Sequence, residues 1–425
     1  MRLLYSIITY LLMPIYVLYW LIKGIFNPTY REGLRQRFGI GFPNCGKGAI
    51  WLHAVSVGEV QASAPLVRIL LSNFPDRNIL ITTVTPTGAC RVKELFSDSV
   101  LHCYIPFETS YAVKNFFNTV NPCLALIMET EIWPEIFHTC GKREIPLVLV
   151  NARISPKSLK NYKRLLPLFR EALSNGILIA AQSEADAQRF LELGANTERI
   201  WITGNIKFDV DLPSNLVLQG KKFRDENFSD RPVWIAASTH HSEEELILDA
   251  HRMILKKINN AMLILIPRHP DRFFLVKSIL ERRKFKFISR STNEECMGTT
   301  EVFLGDTMGE LPFFYASSDV AFVGGSLVSI GGHNILEPAS LGVPVITGSY
   351  LFNTQDIADS FITDGALKIV TNKQNLTEIV LDLFHNKTEA LIMGEKGKKI
   401  IRNNKGAIDR LIKLLDPFIN RINNH

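Results

Sequence analysis

The sequence contains no C-x-x-C pair among its six cysteines, which are Cys45, Cys90, Cys103, Cys123, Cys140 and Cys296. Most of them lie in or beside apolar runs, where a free thiol behaves as a small core residue. The chain therefore lacks a zinc motif and is typical of a reducing compartment. Its charge surplus is also small, +6 over 425 residues, which does not by itself indicate a nucleic-acid partner.

Low-complexity segments and internal repeats are also missing. Hydrophobic residues make up 46% of the chain and charged residues 21%, a balance that excludes a disordered protein and is typical of a folded enzyme. A length of 425 residues exceeds what one hydrophobic core usually serves. We therefore predict two domains of under about 200 residues each.

Charge is absent from one long segment near the N-terminus. Residues 3–22 form a run of 20 uncharged residues, about the length that crosses the hydrocarbon core of a bilayer. The charges that follow are mostly cationic and are Lys23, Arg31, Glu32, Arg35 and Arg37. By the positive-inside rule, this asymmetry keeps the rest of the chain cytoplasmic, with the cations against anionic headgroups. We therefore predict a single-pass membrane anchor over residues 1–24, the alternative being a buried core helix.

Strand-like and helix-like segments alternate along the rest of the chain. Near-continuous apolar strands that alternate with helices indicate parallel sheets covered on both faces. The strands predicted in the first half are residues 49–54, 78–83, 124–128, 146–150, 177–181 and 200–203. Those predicted in the second half are residues 233–237, 261–266, 302–304, 320–323 and 343–346. A polar stretch over residues 211–230 separates the halves, so we predict domains over residues 25–210 and 231–425 with a linker between them.

A glycine-rich segment over residues 322–348 has the features of a nucleotide site. An apolar strand ends in Gly324-Gly325, and a second pair, Gly331-Gly332, precedes a predicted helix. Glycines let a ligand phosphate approach the backbone, and N–H groups at a helix start favour that anion. Glu337, about one residue inside the helix, could accept hydrogen bonds from ribose. The segment has neither a Walker lysine nor the G-x-G-x-x-G spacing of a dinucleotide-binding site. It therefore indicates a nucleotide-sugar enzyme, and the alternative is an ordinary tight turn from strand to helix.

Polar clusters directly follow six of the predicted strands. They are Ser56-Val57-Gly58-Glu59, Glu129-Thr130-Glu131, Asn151-Ala152-Arg153, Ser238-Thr239-His240, Pro267-Arg268-His269 and Asp306-Thr307-Met308. Each alone could be explained by helix capping or by an acid in a first helical turn. Capping explains less well why all six lie at the same ends of the strands, where doubly wound folds bind ligands. We therefore expect two doubly wound domains that face each other across a ligand-binding cleft.

Together, these motifs resemble those of one family. The matching segments are Ser56-Val57-Gly58-Glu59, Glu129-Thr130-Glu131-Ile132-Trp133-Pro134, Asn151-Ala152-Arg153-Ile154-Ser155, Gly204-Asn205-Ile206-Lys207-Phe208-Asp209, Pro267-Arg268-His269-Pro270 and Gly331-Gly332-His333-Asn334-Ile335-Leu336-Glu337-Pro338. The set resembles the 3-deoxy-D-manno-octulosonic acid (Kdo) transferases of Gram-negative bacteria, along nearly the whole chain. The resemblance implies an α/β GT-B fold, with two Rossmann-like domains, a cleft between them and an N-terminal anchor helix. It leaves open whether the last helices pack back on the N-terminal domain.

The resemblance also implies an activity and its catalytic residues. The family transfers Kdo from CMP-Kdo to a lipid A precursor at the cytoplasmic face of the inner membrane. Glu59 matches the general base that deprotonates the acceptor's primary hydroxyl in an inverting reaction. Glu129 and Lys207 match positions that stabilise the transition state, and Lys207 could offset charge on the departing CMP or the Kdo carboxylate. The role of Glu129 stays open between favouring positive charge on the sugar and orienting the acceptor, and Glu131 is a rival for it.

By the same resemblance, the second domain binds the donor. The expected binding residues are Pro267, Arg268, Met308, Gly309, Glu310, Asn334, Ile335, Leu336 and Glu337. The Arg268 guanidinium offers a fork for a phosphate or the cytosine carbonyl. Backbone groups near Gly309 would line the base pocket. The segment that ends at Glu337 would hold the phosphate at a helix N-terminus and the ribose at the carboxylate.

No metal and no other cofactor is expected, since CMP-Kdo is a co-substrate. Asp209-Val210-Asp211 is formally an Asp-x-Asp pair, but it lies at the predicted linker, and a CMP-sugar has only one phosphate to neutralise. The expected partners are CMP-Kdo, a tetraacyldisaccharide bisphosphate acceptor and inner-membrane lipids, without nucleic acid.

Two other function classes stay open. One is another nucleotide-sugar enzyme of the same fold, such as an epimerase or a transferase that uses a UDP-sugar. The other is a catalytically dead membrane-bound scaffold. The membrane segment and the pair Glu59 and Glu129 argue against an epimerase, and the presence of every expected polar group argues against a scaffold.

Overall fold

The computed structural model describes residues 2–46, 48–174, 176–210, 212–213 and 215–423. Contacts divide the chain into two compact units. The first unit contains the residues up to Asp209 and those from Lys405 onward, and the second runs from Val210 to Asn404. We call them the first and the second domain.

Two helices precede the first sheet. They are α1 (Arg2–Phe26) and α2 (Leu34–Arg37), with a 3-10 turn at Pro28–Arg31 between them. From Leu3 to Phe26, α1 is long and apolar enough to cross a membrane, and only 6% of its apolar window is buried. The structure buries one of the cations predicted to face lipid headgroups: Arg37 is 2% exposed. That prediction is wrong for Arg37, because its guanidinium lies between the rings of Trp20 and Tyr104.

The first domain is built on a parallel sheet. Its strands are β1 (Ala49–His53), β2 (Ile79–Thr83), β3 (Leu101–Tyr104), β4 (Pro122–Met128), β5 (Leu147–Ala152), β6 (Leu178–Ala181) and β7 (Ile200–Ile202). They pair in the order β3-β2-β1-β4-β5-β6-β7, and all pairs are parallel. The order reverses between β1 and β4, which is where doubly wound sheets bind their ligands.

Helices connect these strands and cover the sheet on both faces. They are α3 (Val57–Asn73), α4 (Pro86–Phe96), α5 (Ser110–Val120), α6 (Pro134–Lys142), α7 (Pro156–Lys163), α8 (Leu166–Leu173) and α9 (Glu184–Glu192). Alternate residues of β1 enter different cores, with Ile50 in one and Trp51 in the other. The side chains of Ser56 and Ser155 each accept the N–H group three residues on, so they act as the N-caps of α3 and α7.

The second domain is built on a similar parallel sheet. Its strands are β8 (Val233–Thr239), β9 (Met262–Pro267), β10 (Phe287–Ser289), β11 (Val302–Leu304), β12 (Val320–Val323), β13 (Val345–Thr347) and β14 (Leu367–Ile369). They pair in the order β10-β11-β9-β8-β12-β13-β14, again all parallel. Here the order reverses between β8 and β12.

The stretch predicted as a linker contains a helix of the second domain. The helices of this domain are α10 (Leu216–Asn227), α11 (Glu243–Leu255), α12 (Phe273–Arg282), α13 (Leu311–Ala316), α14 (Leu336–Ser340), α15 (Gln355–Thr363), α16 (Lys373–His385) and α17 (Lys387–Asn404). A Cβ added at Gly220 of α10 would lie 2.5 Å from the Ala316 Cβ, so α10 packs closely against α13. Asp211 and Ser214, in the same stretch, lie outside the described residues.

The last helix, α18 (Ala407–Asn423), belongs to the first domain. The Asp209 carboxylate accepts the N–H groups of Gly406 and Ile408 at 2.5 and 2.6 Å, which caps the start of α18. Leu411 and Leu415 of this helix are buried in the same core as Ile50. The C-terminal helix therefore completes one face of the first sheet.

The predicted fold class of two Rossmann-like domains is confirmed, and each predicted strand overlaps a strand of the structure. The strands β3, β10 and β14 were not predicted. All three lie at sheet edges and are only partly buried, so their sequences lack the continuous apolar pattern of central strands.

Candidate active site

Glu59 lies in the first turn of α3, close to the end of β1, at the point where the first sheet reverses its strand order. Its Oε2 accepts the backbone N–H of Val55 at 2.8 Å, and its Oε1 accepts the Ser56 hydroxyl at 3.1 Å. Burial raises the pKa of Glu59 to about 7, and the nearby charge of Glu129 adds to this effect. The group is therefore poised to accept a proton near neutral pH.

Glu129 directly follows β4 on the other side of the same reversal. It is 9% exposed and its backbone has a φ of 53°, a left-handed conformation that re-aims the chain after the strand. Its Oε1 accepts Lys207 Nζ at 3.0 Å, and its Oε2 accepts Arg153 Nε at 3.0 Å. Both carboxylate oxygens are therefore engaged by cations.

Side-chain hydrogen bonds fix the segment that carries Lys207. Asn205 Oδ1 accepts the backbone N–H of Lys207 at 3.0 Å, within a 3-10 turn at Ile206–Phe208. The buried Asn151, which lies in β5, accepts the N–H of Ile206 through its Oδ1 at 3.1 Å. Since Lys207 is sequence-distant from Glu129, this scaffold is what brings the two charges together.

Glu131, the rival acid, has a different set of neighbours. Its Oε2 accepts Trp133 Nε1 at 2.9 Å, and the Trp133 ring packs edge-on against His53. Burial raises the pKa of Glu131, and the charge of Glu129 acts in the same direction. Glu129 therefore holds the two cations, whereas Glu131 fixes an aromatic ring.

The structure thus brings Glu59, Glu129 and Lys207 into one site at the carboxyl ends of β1, β4 and β7. It adds Arg153, for which the sequence predicts no role of its own. The available signal was its position: Arg153 is the cation of the polar cluster that follows β5. Two cations on one carboxylate form a small electropositive surface beside a weakly acidic carboxyl group, an arrangement suited to an anionic substrate.

In the second domain, Arg268 directly follows β9, whose last residue is the buried Pro267. Among the residues that the structure describes, the guanidinium has no hydrogen bond or ion pair within the domain. Burial raises the pKa of Glu337. The positive charge of Arg268 lies close enough to act in the opposite direction on that pKa. Arg268 is therefore available to an external anion.

Histidines surround Arg268. His240 Nε2 lies 2.7 Å from His333 Nε2, and the two rings are stacked at an interplanar angle of 8°. His269 packs edge-on against His240. Burial, together with neighbouring positive charge, lowers the pKa of His240 to about 4 and that of His333 to about 3. Both rings are therefore neutral at physiological pH, so one donates a hydrogen bond to the other.

The predicted binding segment 334–337 lies at the start of α14. Asn334 Oδ1 accepts the N–H of Leu336 at 3.0 Å, and its Nδ2 donates to Glu337 Oε1 at 3.1 Å. Ile335 and Leu336 are 1% and 2% exposed, so their side chains belong to the core and only their backbone can meet a ligand. Asn334 and Glu337 are the polar side chains of the segment.

The segment 308–310 precedes α13. Met308 is 60% exposed and Gly309 has a φ of 86°, which favours glycine there. The Glu310 carboxylate pairs with Arg290 at 2.8 Å and accepts the Thr307 hydroxyl, and Arg290 lowers the pKa of Glu310. Glu310 is thus engaged within the domain, which leaves backbone groups for a ligand.

In the glycine-rich loop after β12, three consecutive backbone N–H groups are bonded to one buried carboxylate. Glu243 is fully buried, and it accepts the N–H groups of Gly325, Ser326 and Leu327 at 2.8 to 3.1 Å. It also accepts the N–H of His240 at 3.2 Å. The N–H groups of Gly325, Ser326 and Leu327 are therefore engaged within the domain, and the prediction of a phosphate site rests on the helix start after Gly331-Gly332.

Within the described residues, no three His, Cys, Asp or Glu side chains are arranged to hold a metal ion. Of the formal Asp-x-Asp pair, Asp209 caps α18 and Asp211 lies outside the described residues.

Two family models match the chain. Residues 32–210 match the model described as 3-deoxy-D-manno-octulosonic-acid transferase, or kdotransferase. Residues 230–400 match the model of group 1 glycosyl transferases. The two matches cover the two sheets separately.

Curated relatives match along nearly the full chain. The chain is 41% identical over 423 residues to the 3-deoxy-D-manno-octulosonic acid transferase of Haemophilus influenzae, covering 99% of both chains. It is 32% identical over 383 residues to the enzyme of the same name from Bordetella pertussis, covering 87% of each.

Among solved structures, the chain resembles UDP-GlcNAc 2-epimerase from Neisseria meningitidis, crystallised with UDP-GlcNAc. The TM-score is 0.52 at 16% identity, over 86% of this chain and all of the other. At this identity, the likeness bears on the fold alone, and it agrees with a GT-B-type pair of domains.

Proposed function

The chain belongs to the family of 3-deoxy-D-manno-octulosonic acid (Kdo) transferases and is a glycosyltransferase, and we propose that it transfers Kdo from CMP-Kdo to a lipid A precursor with inversion at the anomeric carbon. The acceptor in this proposal is the tetraacyldisaccharide bisphosphate. The observation that carries the proposal is the 41% identity to a Kdo transferase over the full chain. The geometry of the two domains supplies groups of suitable chemistry.

In this reaction Glu59 is the general base. Its carboxylate removes the proton from the acceptor's primary hydroxyl while that oxygen forms a bond to the anomeric carbon of Kdo. The bond from that carbon to the phosphate oxygen breaks, and CMP leaves with the electron pair. A single displacement of this kind inverts the anomeric configuration. The pKa of about 7 supports the role, because a base is most effective when its pKa lies near the working pH.

Glu129 acts by holding Lys207 and Arg153 in place. Both cations contact its carboxylate, so neither is free to reorient when an anion arrives. We propose that these two cations offset a negative charge of the substrates, which is that of the Kdo carboxylate, of the departing CMP or of the acceptor's phosphates. This assignment favours Glu129 over Glu131 as the second essential acid, since Glu131 accepts from Trp133 instead.

Donor binding belongs to the second domain. The guanidinium of Arg268 pairs with the CMP phosphate or the cytosine carbonyl, and Glu337 accepts from the ribose hydroxyls. The support is that Arg268 has no partner among the described residues and lies beside Glu337 and two neutral histidines. Pro267, Met308, Gly309, Glu310, Asn334, Ile335 and Leu336 complete the proposed site, mainly through backbone groups.

The reaction needs no metal ion in this proposal. A CMP-sugar has one phosphate, and Arg268 and Lys207 can offset its charge as CMP leaves. The work takes place at the cytoplasmic face of the inner membrane, where α1 holds the chain. The cations Lys23, Arg31 and Arg35, which follow the apolar stretch of α1, support contact with anionic headgroups.

The proposal is tested by incubating the purified chain in detergent with CMP-Kdo and the tetraacyldisaccharide bisphosphate, and by reading the acceptor mass. We expect the acceptor to gain one or more Kdo residues, and the same masses identify how many. UDP-GlcNAc in place of CMP-Kdo is the matched control and should give no product. Transfer from the UDP-sugar, or none from CMP-Kdo, would contradict the assignment.

A further inference from the structure

The helix α1 contacts the first domain along one narrow stripe that runs for most of its length. Most of its less exposed residues recur every three or four positions, and they are Tyr5, Thr9, Met13, Val17, Trp20 and Gly24. This spacing places them on one face of a helix. From Tyr5 to Gly24 the stripe extends for about 28 Å, at the usual rise of an α-helix.

The N-terminal half of this stripe is bonded to buried parts of the domain. Tyr5 donates its hydroxyl to Glu108 Oε2 at 3.1 Å, and Glu108 is 6% exposed. The same carboxylate accepts two backbone N–H groups in the first turn of α6, at 2.9 and 3.0 Å. Further along, the ring of Tyr16 packs against Phe107, with centroids 5.9 Å apart. The helix is therefore tied to the support of α6 and is not a free extension.

The C-terminal half is held as firmly. Trp20 is 7% exposed, and the Arg37 guanidinium lies 3.8 Å from the centroid of its ring. Arg31 Nε donates to the carbonyl of Gly24 at 2.8 Å. Both ends of α1 are thus attached to the same domain, which fixes the helix along its surface.

A helix held in this way cannot also cross a bilayer. The hydrocarbon core is about 30 Å thick, close to the length of the attached stripe. If α1 crossed it, Glu108 and its loop, together with Arg37 at the end of α2, would have to enter hydrocarbon beside the helix. Lipid-exposed loops and charged side chains do not occur there without a large free-energy cost. Docking and spanning therefore exclude each other.

The rest of the helix circumference nevertheless needs an apolar environment. Large aliphatic and aromatic side chains are exposed along it, for example Leu3 at 78%, Leu11 at 72%, Ile15 at 64% and Phe26 at 85%. Soluble proteins rarely expose a continuous apolar surface of this extent. A lipid surface can cover one side of a docked helix while the domain covers the other.

The charge around the end of α1 favours an anionic lipid surface. Lys23 and Arg31 lie at that end, Arg35 is exposed in α2, and Glu32 is the acid among them. A cluster of this kind is attracted to anionic headgroups, and the attraction weakens as salt rises.

We propose that α1 lies in the plane of the membrane surface as a part of the first domain, and does not span the bilayer. Its aliphatic side rests in the outer part of one leaflet, and its stripe from Tyr5 to Gly24 stays on the domain. Lys23, Arg31 and Arg35 contact the headgroups of anionic lipids. Both ends of the helix then lie on the same side of the membrane.

Sidedness tests this arrangement directly. The full chain is expressed in a Gram-negative host with one short hydrophilic tag before Met1 and a second after His425. Protease is added to inside-out membrane vesicles and, separately, to spheroplasts. We expect both tags to be digested in the same preparation and protected in the other. Tags on opposite sides would overturn the proposal, because a spanning helix separates its two ends.

Lipid binding of the untagged chain tests the proposed contact surface independently. The purified protein is floated with vesicles of neutral lipid alone or of neutral lipid with anionic phosphatidylglycerol. We expect tighter binding to the anionic vesicles and a loss of this preference as salt rises. The double variant Leu11→Gln with Ile15→Gln should bind about tenfold more weakly, since both side chains leave the lipid.

Matched variants separate this surface from the docked one. The thermal midpoint of the Leu11→Gln, Ile15→Gln protein should equal that of the parent, because neither side chain packs on the domain. Trp20→Ala should lower the midpoint. Unchanged vesicle binding by the double variant would overturn the proposal. A dimer in the absence of detergent that covers the exposed face of α1 and does not bind vesicles would also overturn it. In that case a second copy of the chain, and not lipid, would cover this face.

Discussion

At the scale of single residues, the proposed base has two roles that need to be separated. Glu59 caps the start of α3 through Val55 and Ser56, as many acids in a first helical turn do. Its pKa of about 7 is a property that capping does not require, and it arises from burial and from the neighbouring carboxylates. A substitution that keeps the cap and removes the basicity distinguishes the two roles.

Glu59→Gln is that substitution. We expect turnover to fall by about 10²- to 10⁴-fold, the usual effect of losing a general base. Binding of CMP should not change, because the proposed nucleotide contacts lie in the second domain. The measurement is the transfer rate beside calorimetric titration with CMP. Near-full turnover by the variant would reject Glu59 as the base.

The pH profile of the parent protein provides a second test of Glu59. The base must be deprotonated, so kcat/KM should rise with pH up to about 7 and level off above it. Activity is lost on the acid side, because protonation removes the lone pair that accepts the proton. Glu59→Gln should lack this rise in its residual activity. A carboxyl group with the ordinary pKa of about 4.3 would be largely deprotonated throughout the range from pH 5 to pH 8. A flat kcat/KM profile of the parent over this range would therefore contradict the assignment.

Arg268 is the corresponding residue of the donor site. Arg268→Ala should weaken CMP binding by about 1.5–3 kcal/mol, the scale of a charge-assisted hydrogen bond. Arg268→Lys should recover only part of this, because lysine lacks the planar fork. Arg282→Ala is the control, since that side chain is 69% exposed on α12. Equal CMP affinity in the parent and in Arg268→Ala would place the nucleotide elsewhere.

At the scale of elements, one buried carboxylate connects the segments that follow β8 and β12, the two strands between which the second sheet reverses its strand order. Glu243 begins α11, after β8, and its oxygens accept the N–H groups of the loop after β12. Burial raises the pKa of Glu243, and the four N–H groups act in the opposite direction. The loop conformation thus depends on an acid that lies about 80 residues earlier in the chain.

Glu243→Gln should therefore destabilise the second domain. The amide offers one acceptor oxygen and turns an NH₂ group toward backbone donors, so we expect a loss of about 2–4 kcal/mol in the free energy of unfolding. Glu245→Gln is the matched control two positions on, at a side chain 48% exposed, and should change it by less than about 0.5 kcal/mol. Denaturant unfolding of both variants makes the comparison. Equal stabilities would show that the loop holds its conformation without the carboxylate.

At the scale of the whole molecule, the N-terminal helix is a structural part of the first domain. Trp20 covers Arg37, and Tyr5 completes the hydrogen bonds of Glu108. An anchor that only tethers the enzyme would be removable without consequence for the fold. A docked helix is not, because its removal exposes a buried guanidinium and a buried carboxyl group.

Deleting the chain through Gly24 should therefore cost the first domain roughly 3–5 kcal/mol, mainly through the loss of Trp20 from its site. The thermal midpoint in detergent should fall, while the second domain still binds CMP. The matched control is a chain that keeps α1 and carries Leu11→Gln with Ile15→Gln, which should retain the parent's midpoint. A deletion variant as stable as the parent would show that α1 contributes no packing.

The sequence by itself determined the architecture and the positions of most residues of the candidate site. Period and apolar content predicted the central strands because they are buried on both faces, and the strand ends then located Glu59, Glu129 and Arg268. Local signals of this kind are strong where burial is uniform. They are weak at sheet edges, where strands are only partly buried and lack a continuous apolar run. For this reason the sequence did not predict β3, β10 and β14.

Only the tertiary structure decided how distant residues meet. The pairing of Glu129 with Lys207 and Arg153 joins three segments through the order of the strands, and no local pattern encodes that proximity. Glu243 accepts three N–H groups of the glycine loop after β12, a contact between residues about 80 positions apart that no local pattern encodes. In the same way, the uncharged run over residues 3–22 predicts an apolar helix, but its hydropathy does not show which face of that helix the folded domain covers.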